Sequence, residues 1–218
     1  MTEALEIIVG NKNYSSWSLR GWLALARSGL PFRETVIPMF QEDSARRIAE
    51  KSPTGKVPCL IHGDLVVCDS LAIGEYVAEL APAAQLWPAD RSARAAARSA
   101  CAEMHSGFPA LRNAMTMNIR AVKPGVGHTP EALADAAAVQ ARWRQLRERW
   151  GAGGDFLFGG FTLADCFYAP VVTRFDTYGV ELDPVSRRYA DAVRAVPEFQ
   201  RWRAAALEEP WTIPQYEL

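Results

Sequence analysis

The sequence predicts a small mixed α/β domain followed by a longer all-helical domain. Over the first eighty residues, short apolar runs rich in β-forming side chains alternate with stretches whose apolar residues recur at helical spacing. After Ala81 and Pro82 the strand pattern disappears, and alanine, arginine and leucine dominate. We therefore expect an α/β domain at residues 1–81, a linker at 82–90 and a helical domain at 91–218, a length that lets both domains bury a core.

The first domain is predicted to have the element order β-α-β-α-β-β-α. Its strands are four short apolar runs, at Leu5–Val9, 33–37, Cys59–His62 and Leu65–Cys68. Its helices are expected in segments with helical apolar spacing or polar, helix-compatible composition, within 19–29, 41–50 and 73–80. Because a helix joins the first two strands, they should be parallel, whereas the Gly63-Asp64 link suits a tight turn between antiparallel strands.

The second domain is predicted to contain helices at 91–118, Pro130–Trp150, 162–178 and 186–196. Gly107 and Pro109 should kink or break the first of them. Thr162 and Asp165 have the spacing of a capping box, in which each side chain satisfies the backbone N–H of the other residue. This pair predicts a helix start and requires no chemistry.

Composition excludes several classes of function. The chain has 24 basic and 25 acidic residues and a net charge of −1, so no charge pattern for nucleic acid or an anionic membrane is visible. No apolar run approaches the roughly 20 residues of a membrane helix, and we recognise no secretory leader. The cysteines lie in apolar stretches without zinc-ligand or redox spacing, which indicates buried, reduced thiols and a cytoplasmic protein: Cys59, Cys68, Cys101 and Cys166.

Sequence signatures of several kinds of catalytic site are missing. His62, His105 and His128 are scattered along the chain without acidic residues at ligand spacing, so no metal site is predicted. The sequence also lacks the glycine pattern of a dinucleotide site, a complete P-loop and the glycines of a nucleophile elbow.

A serine-rich turn is the first candidate for chemistry. Ser15, Ser16 and Ser18 lie between the first strand and the first helix. The N-terminus of a helix carries unpaired N–H groups and a partial positive charge, and a hydroxyl there can donate a hydrogen bond that stabilises a thiolate. The alternative is that one of these serines only caps the helix.

Two further segments complete a family resemblance. Residues 52–60 read S-P-T-G-K-V-P-C-L, and residues 68–73 read C-D-S-L-A-I. Together with the serine turn and the later capping box, in this order along nearly the whole chain, they resemble bacterial-type members of the glutathione S-transferase superfamily. The run S-S-W-S-L-R is most similar to the zeta-like serine branch, whose pattern is S-S-C-x-W-R. Trp17 and Leu19 stand where that pattern has cysteine and tryptophan.

The resemblance implies a thioredoxin-like first domain that binds glutathione as co-substrate, without a metal. It also implies a helical second domain that shapes the pocket for a second substrate, and a homodimer. By the same resemblance Ser15 activates the glutathione thiol, with Ser16 as its neighbour and alternative. Tyr14 is a further source of a hydroxyl, ranked behind both serines.

The glutathione-binding residues follow from the resemblance as well. Val57 matches the residue whose backbone pairs with the cysteinyl part of glutathione, and Pro58 matches the family's cis-proline. Asp69 and Ser70 match the pair that holds the γ-glutamyl end. Lys56 either approaches the glycyl carboxylate or is a solvated surface lysine.

The second-substrate pocket is expected on the first helix of the second domain. If Pro109 only kinks that helix, one of its faces carries apolar and basic side chains: Met104, Phe108, Leu111, Arg112 and Met115, with His105 adjoining. An apolar electrophile with an anionic group near Arg112 would fit this face. The alternative is that the apolar side chains pack in the core, while Arg112 and His105 are solvated or have structural hydrogen bonds.

The expected function is that of a glutathione transferase, in which the bound thiolate attacks a small hydrophobic electrophile. One alternative is an isomerase of the maleylacetoacetate or maleylpyruvate type. Trp17, Leu19 and Asp69 disfavour it, since the zeta branch usually has glutamine at the position of Asp69. A second alternative is a non-catalytic glutathione-binding protein. A glutathione-dependent disulfide reductase would need a cysteine at the position of Ser15.

Overall fold

The structure is a computed structural model, and it describes residues 4–217. The strands are β1 (Leu5–Val9), β2 (Phe32–Val36), β3 (Cys59–His62) and β4 (Leu65–Cys68). The first three helices are α1 (Ser16–Arg27), α2 (Ser44–Ala49) and α3 (Ser70–Leu80). The later helices are α4 (Arg91–Ser106), α5 (Pro109–Ala114), α6 (Pro130–Trp150), α7 (Leu163–Tyr178), α8 (Pro184–Ala195) and α9 (Pro197–Glu208).

The four strands form one mixed sheet in the order β2-β1-β3-β4. β1 is parallel to β2 and antiparallel to β3, and β4 pairs antiparallel with β3. The predicted element order and strand directions are therefore confirmed. Side chains alternate across the central strand: Ile7 packs into the main core, which also contains residues of α1 and α3, whereas Ile8 packs with Ile48 of α2.

The helical part is built around α7, whose residues from Leu163 to Phe175 are all buried. Trp143 of α6 lies against this helix, with its ring 5.8 Å from Tyr168 and 5.6 Å from Phe175. α7 also contacts α1 and α4, so the helix that begins at the predicted capping box joins the core of the helical part to that of the α/β part. The all-helical architecture after the sheet is confirmed.

The predicted helix 91–118 is broken near Gly107 and Pro109, one of the two outcomes expected from the sequence, and the break matters for the site. α4 ends at Ser106, Phe108 adopts a left-handed conformation with φ of 56°, and a separate short helix α5 begins at Pro109. Proline has no N–H to continue the helical ladder, and it disfavours helical geometry in the residue before it. The chain therefore turns at this point, and the predicted continuous face does not exist.

Several other element bounds differ from the sequence prediction by one to three residues, and one helix was missed. β2 begins and ends one residue earlier than predicted. α9 was not predicted, although Pro197 at its first position and the i, i+3, i+7 stripe of Phe199, Trp202 and Ala206 are ordinary helix signals.

The cysteines are free thiols, three of them buried and Cys68 half-buried. Within residues 4–217, no helix is long and apolar enough to cross a membrane. The same residues contain no group of three or more His, Cys, Asp or Glu side chains that could hold a metal ion.

Candidate active site at the start of the first helix

Two adjoining cavities lie where the α/β and helical parts meet. The first has a volume of about 620 Å³ and is lined by Tyr14, Ser15, Ser16 and Arg112, among others. The second, of about 940 Å³, contains the other group of predicted site residues: Lys56, Val57, Pro58, Asp69, Ser70 and His105. The two cavities share four lining residues, Trp17, Met39, Val57 and Tyr216. A molecule in one cavity would therefore reach a molecule in the other.

Four residues expected on the pocket face lie elsewhere. Met104, Leu111 and Met115 are fully buried in the main core, and Phe108 packs against that core. None of the four lines either cavity. His105 lines the second cavity and not the first, where it was expected. The break at Pro109 explains why the residues before it do not share a helical face with Arg112.

Ser15 is the N-cap of α1, which is the role that the sequence left open as the alternative to chemistry. Its Oγ accepts a hydrogen bond from the backbone N–H of Ser18 at 3.2 Å and donates to the Ser18 hydroxyl at 2.8 Å. The Ser18 Oγ in turn accepts from the N–H of Gly10 at 3.0 Å. If the hydroxyl pair reverses, Ser18 donates to Ser15, and the Ser15 proton is available to a group in the first cavity.

The neighbouring Ser16 is the first residue of α1, and its side chain lines the first cavity. Among the described residues, its hydroxyl has no hydrogen-bond partner. The site therefore contains one serine held in a relay and one serine free to bind a ligand, both next to the positive end of the α1 dipole.

Tyr14 lines the first cavity with its ring, but its hydroxyl is engaged. It donates to the Glu217 carboxylate at 2.5 Å and accepts from the Arg120 guanidinium at 3.0 Å. Both partners follow far along the chain, and neither carries a recognisable motif, so sequence reasoning missed them.

The segment before β3 forms one wall of the second cavity. The Val57–Pro58 peptide bond is cis, and α1 packs closely on this loop. A Cβ atom added to Gly21 of α1 would lie 3.1 Å from Cγ of Pro58. Lys56 is exposed at the rim of this cavity.

Asp69 and Ser70 lie at the start of α3. Asp69 is a non-glycine residue with φ of 78°, an unusual conformation that marks candidate functional positions. Its Oδ1 accepts from the N–H of Leu71 at 2.8 Å, and its Oδ2 lies 3.4 Å from Nε2 of His105. The buried Ser70 hydroxyl has no partner among the described residues, which is the state of a group that meets a ligand or water.

The wall shared by both cavities is positively charged. Trp17 lies beneath the guanidinium groups of Arg20, at 4.6 Å from the ring centre, and of Arg112, at 4.8 Å. Arg112 and Arg174 line the first cavity and, within residues 4–217, donate only to backbone carbonyls. Burial lowers the pKa of Arg112, and burial together with Arg112 lowers the pKa of Arg174 to about 10. Both remain cations at neutral pH.

The cysteines do not supply a nucleophile at this site. Burial raises the pKa of Cys59 to about 11 and raises those of Cys101 and Cys166 well above the ordinary value. None of them lies at the start of α1, and only Cys68 lines one of the two cavities. A reactive thiol at the serine turn would have to arrive with a ligand.

Comparisons with known proteins agree on one family. A family model described as glutathione S-transferase, N-terminal domain, matches residues 14–80, and one described as glutathione S-transferase, C-terminal domain, matches residues 129–205. The chain is 25% identical over 190 residues to a probable maleylacetoacetate isomerase of Caenorhabditis elegans, covering 84% of this chain and 86% of that protein. It is 28% identical over 195 residues to a zeta-class glutathione S-transferase of Euphorbia esula, covering 85% and 84%.

Among solved structures, the chain resembles a glutathione transferase homolog from Burkholderia (strain BGR1) crystallised with glutathione. The TM-score is 0.73 at 23% identity, covering 95% of this chain and all of that one. At 23% identity, this structural similarity supports the fold alone.

Proposed function

Because the chain belongs to the glutathione S-transferase family and is zeta-like in its relatives, we propose that it is a glutathione transferase that activates the glutathione thiol for attack on a small hydrophobic electrophile. The single observation that carries this proposal is the position of the serine turn. Ser15 and Ser16 line one cavity and the adjacent Trp17 lines both. A sulfur atom at this junction would face the second substrate while the rest of the tripeptide occupies the second cavity.

Glutathione is proposed to lie along the second cavity. The free Ser70 hydroxyl and the Asp69 carboxylate are assigned to the γ-glutamyl end, and the backbone of Val57 to the cysteinyl part. Lys56, at the rim, is assigned to the glycyl carboxylate. The support is that these residues line one cavity and that the Ser70 hydroxyl is buried without a partner among the described residues.

Ser15 is proposed to stabilise the thiolate by donating its hydroxyl proton to sulfur. Gly10 N–H, the Ser18 hydroxyl and the Ser15 hydroxyl would then form a relay that ends at the sulfur atom. The thiolate forms a bond to the electrophilic carbon, the leaving group departs with the electron pair of its own bond, and the thiol proton goes to solvent. Lowering the thiol pKa by two units needs about 2.7 kcal/mol, within reach of a charge-assisted hydrogen bond and a helix terminus.

The assignment of Ser15 is tested by titrating the thiolate absorbance of bound glutathione. We expect Ser15→Ala to raise the apparent thiol pKa by about one unit or more, because the hydrogen bond to sulfur is lost while the helix terminus remains. Ser106→Ala, which changes an exposed helix hydroxyl, serves as the control. An unchanged pKa rejects the role of Ser15, and a rise in Ser16→Ala alone moves the role to Ser16.

Activity itself is tested by retention on immobilised glutathione followed by assays with aryl halides, isothiocyanates, epoxides and maleyl acids. Turnover of any of these supports the enzyme. Retention without turnover favours the non-catalytic binding protein, and lack of retention rejects both.

A second candidate function is isomerisation of a carboxylate-bearing substrate of the maleyl type. The observation that favours it is that Arg112 and Arg174 line the first cavity without a carboxylate partner among the described residues. The thiolate would add to the double bond, the resulting single bond would rotate, and elimination would regenerate glutathione. In the same assays, Arg112→Met should raise KM for maleyl acids and leave KM for neutral aryl halides unchanged.

We also propose that the protein is a cytoplasmic homodimer. The support is family membership and the four free thiols, which fit a reducing compartment. Sedimentation analysis of the purified protein tests the oligomeric state.

A further inference from the structure

We propose that Arg20, a buried guanidinium on α1, supplies positive charge that holds bound glutathione in its thiolate form. The inference rests on the proposed function and adds a residue that lies outside both cavities. Arg20 does not touch the sulfur, so it is not a catalytic residue in that sense. Its charge acts through the protein interior.

Arg20 is fully buried, yet it has no hydrogen-bond partner. Among the described residues, none of its three guanidinium nitrogens finds an acceptor. Buried charges in proteins are normally paired, because an unpaired one costs several kcal/mol. Arg174, the neighbouring buried arginine, donates to the carbonyls of Met115 and Pro170. Hydrogen bonds within the described residues therefore do not offset the cost of burying the charge on Arg20.

The guanidinium of Arg20 lies over two aromatic rings. It lies 4.6 Å from the ring centre of Trp17 and 5.2 Å from that of Phe167. Such contacts stabilise a cation without neutralising it. Since Trp17 lines both cavities, only one indole ring separates this charge from the junction where the sulfur would sit.

The charged and titratable groups near Arg20 leave it unneutralised. Burial lowers the pKa of Arg20 to about 9, with smaller contributions from the cations Arg174 of α7 and Arg112 of α5. This value leaves Arg20 protonated at neutral pH. The Cys101 thiol of α4 and the Tyr168 hydroxyl of α7 are kept neutral, because burial raises the pKa of both groups.

Among the described residues, Asp69 is the acidic side chain that acts on Arg20, and both of its oxygens already have partners. One accepts from the N–H of Leu71, and the other lies 3.4 Å from the imidazole of His105. The net charge around Trp17 is therefore positive, and the negative charge that would balance it is absent from the neighbouring residues. A thiolate at the serine turn would provide it.

The separation allows a measurable effect. Arg20 follows Ser15 by five residues on the same helix, a rise of about 7.5 Å. A unit charge about 10 Å from the sulfur in a medium of effective dielectric constant about 20 lowers a thiol pKa by about one unit. The effect adds to that of the Ser15 hydroxyl and the helix dipole.

The test compares Arg20→Met with the wild type in three measurements. We expect the pKa of bound glutathione to rise by about one unit, and the urea midpoint to stay the same or increase, because a buried unpaired charge has been removed. Binding of S-methylglutathione, which has no thiol to ionise, should be unchanged. Arg98→Met, which removes an exposed arginine, is the control.

Each outcome decides a separate question. An unchanged thiol pKa in Arg20→Met overturns the inference, and so does weaker binding of S-methylglutathione, which would make Arg20 a structural support of the site. If Arg20→Met does not fold, Arg20→Gln removes the same charge and is judged by the same criteria. If the wild type does not bind glutathione, both the proposed function and this inference are rejected. If the wild type lowers the thiol pKa of bound glutathione and Arg20→Met lowers it equally, only this inference is rejected.

Discussion

Three serine hydroxyls of the site have different surroundings although the residue type is the same. Ser15 caps a helix and belongs to a relay, Ser16 is free to bind a ligand, and Ser70 is buried without a partner among the described residues. A capping hydroxyl contributes to folding, and an unpartnered buried hydroxyl costs folding free energy. The three positions should therefore respond differently to removal of the hydroxyl.

Ser70→Ala should weaken glutathione binding without destabilising the protein. Loss of a hydrogen bond to a charged ligand group costs about 1.5 kcal/mol, which corresponds to a roughly tenfold higher Kd. The urea midpoint should not fall, because the hydroxyl makes no hydrogen bond within the described residues. Calorimetric titration with glutathione and urea unfolding measure the two effects.

The matched control for Ser70 is Ser99→Ala, an exposed hydroxyl that donates to a carbonyl of its own helix. It should change neither quantity. A lower urea midpoint in Ser70→Ala with unchanged Kd would mean that Ser70 supports the fold and not the ligand.

At the scale of elements, the start of α7 contains an unusual buried carboxylate. The Asp165 carboxylate accepts from the backbone N–H of Thr162 at 2.7 Å, from the Thr162 hydroxyl at 3.1 Å and from the N–H of Leu157 at 3.2 Å. Despite these bonds, burial raises the pKa of Asp165 to about 6. The predicted capping box is present. Its hydrogen bonds only partly offset the cost of burying the charged Asp165 carboxylate.

The raised pKa predicts a pH dependence of folding stability. Between about pH 4 and 6 the folded state binds the Asp165 proton more tightly than the unfolded chain, so stability from this group is highest below its unfolded pKa and is lost as the pH rises through 6. Asp165→Asn removes this pH-dependent contribution to the free energy of unfolding. The difference in unfolding free energy between wild type and variant should therefore shift by about 1–3 kcal/mol across the interval, in favour of the variant at higher pH.

Urea unfolding at several pH values between 4 and 7 measures this difference. Asp155→Asn, in the exposed loop before α7, is the control, and its free energy of unfolding should depend on pH as that of the wild type does. A constant difference between wild type and Asp165→Asn across the range would contradict the raised pKa.

At the scale of the whole molecule, the segment after α9 returns to the serine turn. The Glu209 carboxylate accepts from the backbone N–H of Lys12 at 2.6 Å and of Asn13 at 3.0 Å. Arg120 donates to the carbonyl of Trp211 at 2.7 Å and to the Tyr14 hydroxyl at 3.0 Å. The loop before Ser15 is therefore held by residues 106 to 197 positions further along the chain.

Glu209→Gln should loosen this loop and lower the stability of the protein. The neutral amide keeps one acceptor oxygen, so both backbone N–H groups lose a charged partner and one of them is left without an acceptor, at a cost of about 1–3 kcal/mol. Urea unfolding measures the loss, and hydrogen exchange should be faster at the amides of Lys12 and Asn13.

The neighbouring Glu208→Gln is a matched control, since Glu208 is exposed. Equal effects of the two substitutions would show that Glu209 does not anchor the loop.

The net charge of the chain is near zero, but one part of the structure has a strong local electrostatic field. Formal charge sums to −1, yet Arg20, Arg112 and Arg174 lie close together around one tryptophan and one cavity. Composition shows no overall excess of positive charge, and it contained no information about this cluster.

Local patterns in the sequence were enough to predict most of the secondary structure. β1, β3, β4 and α6 have the predicted boundaries, because apolar periodicity, turn residues and caps act within a few residues. The break between α4 and α5 was left open, since Pro109 in a helical pattern is compatible with a kink or an end. The competing geometries differ only in how the following residues pack.

The sequence by itself determined the strands and their directions, most of the helices and the motif order that resembles one family, because each depends on neighbouring residues or on a motif read in order. Tertiary structure decided which predicted side chains share a cavity: it separated Met104 and Phe108 from Arg112, and it engaged the Tyr14 hydroxyl with Glu217. It also decided that Arg20 is buried without a partner. These features depend on contacts between residues distant in the chain, and the field of a buried charge depends on everything packed around it.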